Sequence, residues 1–299
     1  MPRAAFGHYY NFVDCNNSNI STRQNDGLLK TAFLAMQRLL SVLAFAVLPL
    51  SAQAFAQTRS TPAIPPVAQA AELRSLSQRL AKLHLQLRLN LNAEPAQRQI
   101  EQGVTRFDAT LASLRQTPLQ GPAAATFKRV EAGWQEQKQL ITAIPTASTA
   151  ERVILSAEEL TIAAGRLAMQ LEGAEESPVW RLSDLAGRNN MLAQRLARLY
   201  LQTRLGDKSQ GRRVDIETTR KEFVTSLDEL TRAPQTSPAV ADSLKLARQQ
   251  WIFFDAAIGP DGGDANAARH VATTSERIGE MMDAIGSSYA RLAAEKPAR

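Results

Sequence analysis

From residue 66 onward, apolar side chains recur at intervals of three and four. Leu185, Leu192, Leu196 and Leu199 fall on one side of a helical wheel, which is the ordinary stripe of an amphipathic helix facing a core. No run alternates apolar and polar residues as a strand would. Breaks in the pattern coincide with Glu94-Pro95, Gly121-Pro122, Ile144-Pro145, Ser177-Pro178, Ser237-Pro238 and Gly259-Pro260. Serine before proline is a good helix start, because the hydroxyl caps free N–H groups and proline has the helical φ already set. The cuts predict eight helices, at about 66–92, 95–116, 122–143, 148–173, 178–206, 209–232, 238–258 and 264–294.

The pattern also repeats. L-x-Q-R-L-A-(K/R)-L-(H/Y)-L-Q occurs from Leu76 to Gln86 and again from Leu192 to Gln202. At the same offset of 116, Phe107 matches Phe223, Leu111 matches Leu227, Leu114 matches Leu230 and Pro118 matches Pro234. One inserted residue later Trp134 matches Trp251, and SAEEL at 156–160 loosely matches TSERI at 274–278. The pattern reads as a tandem duplication with units at 66–174 and 177–294, each of four helices. Short connections make neighbouring helices antiparallel, so the expected fold is all-α, two tandem four-helix bundles.

A different pattern precedes residue 66. From Met36 the chain reads MQRLLSVLAFAVLPLSAQAFAQ: a basic Arg38, an apolar run from Leu39 to Leu50, then small residues allowing cleavage after Ala54 or Ala56. This is a secretory signal peptide at 36–56, with an apolar run too short for a comfortable membrane span. Residues 1–35 are polar and unpatterned, which makes Met36 the expected natural start and 1–35 a non-native leader. The expected location is periplasmic.

Composition narrows the chemistry. Cys15, the single cysteine, lies in the leader, so the mature chain has no thiol, disulfide, haem-attachment or lipid-anchor cysteine. Residues 1–56 hold four basic and two acidic side chains, so their removal lowers the net charge from +6 to +4. That charge is spread along helices, which argues against nucleic acid and is compatible with small anions. His84 and His270 lie far apart without other ligands at metal spacing, and His84 aligns with Tyr200, a packing position. DGGD at 261–264 lacks calcium-loop spacing and reads as a turn. No protease, nucleotide or dinucleotide motif is present, so neither enzymatic activity nor a cofactor is expected.

A second stripe on the fifth helix, nearly opposite the first, carries Gly187, Asn190, Gln194 and Arg198, matched in the first unit by Ala71, Arg74, Gln78 and Lys82. Glycine inside a helix costs about 0.5–1 kcal/mol relative to alanine, so Gly187 implies close approach by a backbone or ligand, or else is merely tolerated on a solvated face. The stretch LAGRNNMLAQRLARLYL at 185–201 resembles the N-terminal domain of type IV pilus methyl-accepting chemotaxis transducers. It is also similar to the periplasmic sensor domain of nitrate/nitrite sensor histidine kinases, with the pattern N-L-A-G-x-x-R-M-L-x-Q-R. Asp184 stands where that pattern has asparagine, and the first unit matches only from Leu76.

The resemblance implies a periplasmic sensory bundle in which two first helices meet and a glycine and an arginine from each hold one anion. Gly187 keeps the glycine but Asn190 replaces the arginine, whereas the first unit keeps Arg74 and has Ala71 for the glycine. Arg188 lies on another face. The expectation is a composite ligand site of Arg74, Gly187, Asn190, Gln78 and Gln194 between the two first helices, for a small oxyanion such as nitrate or nitrite. The transducers and kinases continue into membrane and signalling modules that this chain lacks, so the expected role is that of a sensory-accessory protein acting through a partner. A structural or interaction protein of a pilus or chemotaxis envelope complex, with no small ligand, is the other reading.

Overall fold

The computed structural model describes residues 64–173, 178–259 and 265–295. The leader, the signal segment 36–56, Ser177, Pro260 and the 261–264 turn lie outside the described residues. Eight helices follow in order: α1 Pro66–Arg88, α2 Ala93–Arg115, α3 Gly121–Ile141, α4 Ala147–Glu172, α5 Pro178–Arg204, α6 Gln210–Arg232, α7 Pro238–Ala257 and α8 Ala265–Glu295. The described residues contain no strand. All helices lie in one compact unit, Ser60–Arg299.

The helix ends follow from local chemistry. The side chains of Ser209 and Ser237 accept hydrogen bonds from the backbone N–H of Arg212 and Val240, at 3.1 and 3.3 Å. Thr146 and Thr149 exchange side-chain and backbone bonds in a capping box. The first helix stops at Arg88, four residues short of the expected 92. Asn90 and Asn92 adopt left-handed φ of 51° and 49°, which the short polar side chain of asparagine tolerates.

Each set of four helices encloses its own core. In the first, Phe107 stacks on Trp134 with centroids 3.8 Å apart; in the second, Phe223 stacks on Trp251 at 4.2 Å. Leu80, Leu111, Val130 and Leu160 pack around the first pair, and Leu196, Leu227, Leu244 and Ile278 around the second. The bundles meet along α1 and α5, which is why both helices are buried on nearly every side. Val67 and Leu85 of α1 join the apolar cluster of the second bundle. The polar stripe of α5 does not face solvent: Asn190, Gln194 and Arg198 are buried in this seam, as are Arg74, Gln78 and Lys82.

Candidate functional site

The seam places Arg74 opposite Gly187. A Cβ built on Gly187 would sit 3.1 Å from the Ala71 Cβ and 3.9 Å from Arg74 Nη2, so the missing side chain is what admits α1 and its guanidinium. Gly165 of α4 lies on another side of Arg74, its Cβ position 3.4 Å from Arg74 Cδ. The guanidinium is not empty-handed. Nη2 donates to the Asp184 carboxylate at 2.9 Å and to the Asp184 backbone oxygen at 3.1 Å. Arg74 Nε is buried and finds no acceptor among the described residues.

Asn190 is not brought to Arg74. Its amide donates to Asp283 of α8 at 2.7 Å, and its oxygen lies 2.7 Å from where a Cβ on Gly279 would be. Asp283 lies on the exposed side of α8; partial desolvation of its carboxyl and the nearby Glu72 carboxylate push it above the usual range, although the Asn190 bond pulls the other way. Arg188 is exposed and pairs with Glu222 at 3.0 Å, so it takes no part in the seam.

Gln78 and Gln194 serve the seam itself. Arg198 Nε donates to Gln78 at 2.8 Å, and Lys82 Nζ donates to Gln194 at 2.7 Å. Arg198 also pairs with Glu158 of α4, and Lys82 with Glu276 of α8. Each bundle thus gives a cation to the glutamine and the carboxylate of the other. Burial draws Arg198 down to about 10 against the pull of Glu158. Burial likewise lowers Lys82. Burial alone would raise Glu276, but the charges and hydrogen bonds of Lys82 and Arg79 outweigh it and hold the carboxyl at about 2. The Glu276 carboxylate is therefore ionised at neutral pH.

Sequence reasoning on the stripe missed the carboxylates Glu158, Glu276 and Asp283 and the bond from Arg74 to Asp184. One signal was present: Glu158 and Glu276 occupy the same place in SAEEL and TSERI. His84 is buried, with Nδ1 3.3 Å from the Ile141 oxygen. No cluster of three His, Cys, Asp or Glu side chains able to hold a metal occurs among the described residues. Nor is any helix there long and apolar enough to cross a membrane.

Two four-helix bundles joined through buried first helices define an all-helical tandem module. Residues 66–160, from the start of α1 into α4, match the family described as type IV pili methyl-accepting chemotaxis transducer N-terminal domain (PilJ). That match gives the segment a sensory or interaction role. No curated protein and no solved structure matches the chain.

Proposed function

We propose that this chain is a periplasmic, non-enzymatic sensory-accessory protein whose α1–α5 seam takes a small planar oxyanion such as nitrate or nitrite at Arg74. The observation that carries this reading is the half-used guanidinium. Arg74 is 6% exposed, lies between Gly165 and Gly187, and has Nη2 bonded to Asp184 while Nε stays open. Nε and Nη2 form one edge of the guanidinium fork, the edge that a planar oxyanion bridges with two parallel bonds. Asp184 acts as a tethered counter-anion that the ligand displaces. Gln78 and Gln194 hold the seam in register, and Asn190 positions α8. A change at Arg74 is transmitted to α5 through Asp184, and from there to a protein partner.

Calorimetry with nitrate and nitrite tests this. Wild-type affinity is weak, because the ligand competes with an anion already attached to the chain. Asp184→Asn, which restores the asparagine of the family pattern, tightens binding about tenfold or more, and Arg74→Ala abolishes it. Losing the charged partner of a desolvated anion costs about 2–5 kcal/mol. Absence of binding at millimolar ligand in both wild type and Asp184→Asn overturns the oxyanion reading. The closed Arg74–Asp184 pair favours a second reading in that event: an interaction protein of a pilus- or chemotaxis-related envelope complex, in which the pair simply locks the two bundles together.

A further inference from the structure

Helix α4 carries three large aliphatic side chains on its outer face. Leu155, Ile162 and Met169 are 59, 65 and 63% exposed. Their spacing of seven residues keeps them on one side of the helix, with a drift of only about 20° per heptad. The stripe is about 21 Å long at 1.5 Å per residue. Exposed apolar residues scattered singly are ordinary, whereas an ordered row is the seam of a helix pair.

The fold does not require this row. The register that matches SAEEL with TSERI places Thr273, Glu280 and Ser287 of α8 at the equivalent positions. All three are exposed, with Ser287 at the edge of a groove between α8 and α1. One bundle therefore keeps these positions polar while the other makes them apolar.

We propose that the occupant is a second copy of this chain, packed α4 on α4 in antiparallel fashion about a two-fold axis through Ile162. In that arrangement Ile162 meets Ile162 of the second copy, and Leu155 meets Met169 of the second copy. The flanking charges agree. Glu159 and Arg166 lie on one edge of the stripe, both exposed, and neither makes a salt bridge among the described residues. The two-fold axis brings Glu159 beside Arg166 of the second copy, twice, once on each side of the axis. A partner of other sequence would have to supply this same alternation, whereas a second copy supplies it by symmetry. One helix pair buries less than the ~1,200 Å² of a standard stable interface, so the dimer is concentration-dependent. This inference does not depend on the Arg74 site.

Sedimentation of the full chain over a concentration series is the test. The expected average mass rises toward that of a dimer with concentration. Ile162→Glu, with unchanged helical circular dichroism, keeps the protein monomeric, and Glu159→Arg weakens association while Glu159→Arg with Arg166→Glu restores it. In a Cys15→Ser background, Ile162→Cys crosslinks to itself. Leu155→Cys does not, yet crosslinks when mixed with Met169→Cys. A wild type that stays monomeric throughout overturns the proposal. So does a dimer indifferent to Ile162→Glu, which would mean that another surface or segment associates. Self-crosslinking of Leu155→Cys overturns the antiparallel arrangement.

Discussion

At the scale of single residues, the two halves of the seam solve one packing problem differently. Gln78 donates to Thr161 at 2.9 Å in the first bundle. The matching place in the second is Gly279, and there the space of a side chain is filled by the amides of Asn190 and Gln194. A Cβ at Gly279 would stand 2.7 Å from Asn190 Oδ1 and 2.9 Å from Gln194 Nε2. Both amides are tied down, Asn190 to Asp283 and Gln194 to Ser275 and Lys82. Gly279→Ala gains about 1 kcal/mol of helix propensity but overpacks at a cost of about 1–3 kcal/mol. The expected result is a net loss of about 1 kcal/mol, read from the urea midpoint. A stabilised variant would mean that the amides move aside freely. The sequence made Gly187 conspicuous through its motif, but Gly279 lies in no motif, and only the position of Asn190 gives it a role.

At the scale of elements, α1 and α5 carry the most constraint. Each has an apolar face toward its own bundle and a polar face toward the other helix, and both faces are dry. Polar groups buried in this way must be paired. Arg198, 1% exposed, bonds Gln78, Gln202 and Glu158. Arg198→Ala leaves Glu158, among the described residues, with only Arg195, 3.5 Å away, and removes the donor that Arg198 gives to Gln78. Breaking one partner of a buried pair costs about 3–5 kcal/mol, and partial exposure of Glu158 puts the expectation near the lower end. Lys82→Met costs less, about 1–2 kcal/mol, because Arg79 still holds Glu276 at 2.7 Å while the methionine packs. Chemical denaturation of the two variants checks the order; equal losses would show that Arg79 does not substitute. The helix spans themselves are legible in the sequence to within about four residues, because proline, serine caps and apolar period act locally. The end of α1 falls short of the expected 92 because its stop is the left-handed pair Asn90 and Asn92, not the later Pro95.

At the scale of the whole molecule, the cross-bundle ion pairs make cohesion depend on pH. Glu276 titrates at about 2 in the folded chain against an ordinary 4.5. A carboxyl lowered by folding contributes stability that is fully present above its unfolded value and is lost as pH falls toward its folded one. Stability should therefore decline from about pH 4.5 toward 2. Glu276→Gln should begin lower and decline less steeply. Thermal melting of both proteins between pH 7 and 3 provides the comparison; parallel curves would place the acid sensitivity elsewhere.

The sequence by itself determined the helices, their grouping into two sets of four and the matching cores around Phe107–Trp134 and Phe223–Trp251, since period, caps and repeats are properties of the chain alone. It also singled out Arg74 and Gly187 as halves of one motif. Only the tertiary structure decided that the polar stripes are buried against each other, that Arg74 meets Asp184 while Asn190 turns away to Asp283, and that Lys82 and Arg198 find their carboxylates in the opposite bundle. The physical reason is that a helical wheel shows which residues share a face but not what that face meets. A row of polar residues looks the same in sequence whether water or another polar row lies across from it, and the partners here are separated by 40 to 194 residues.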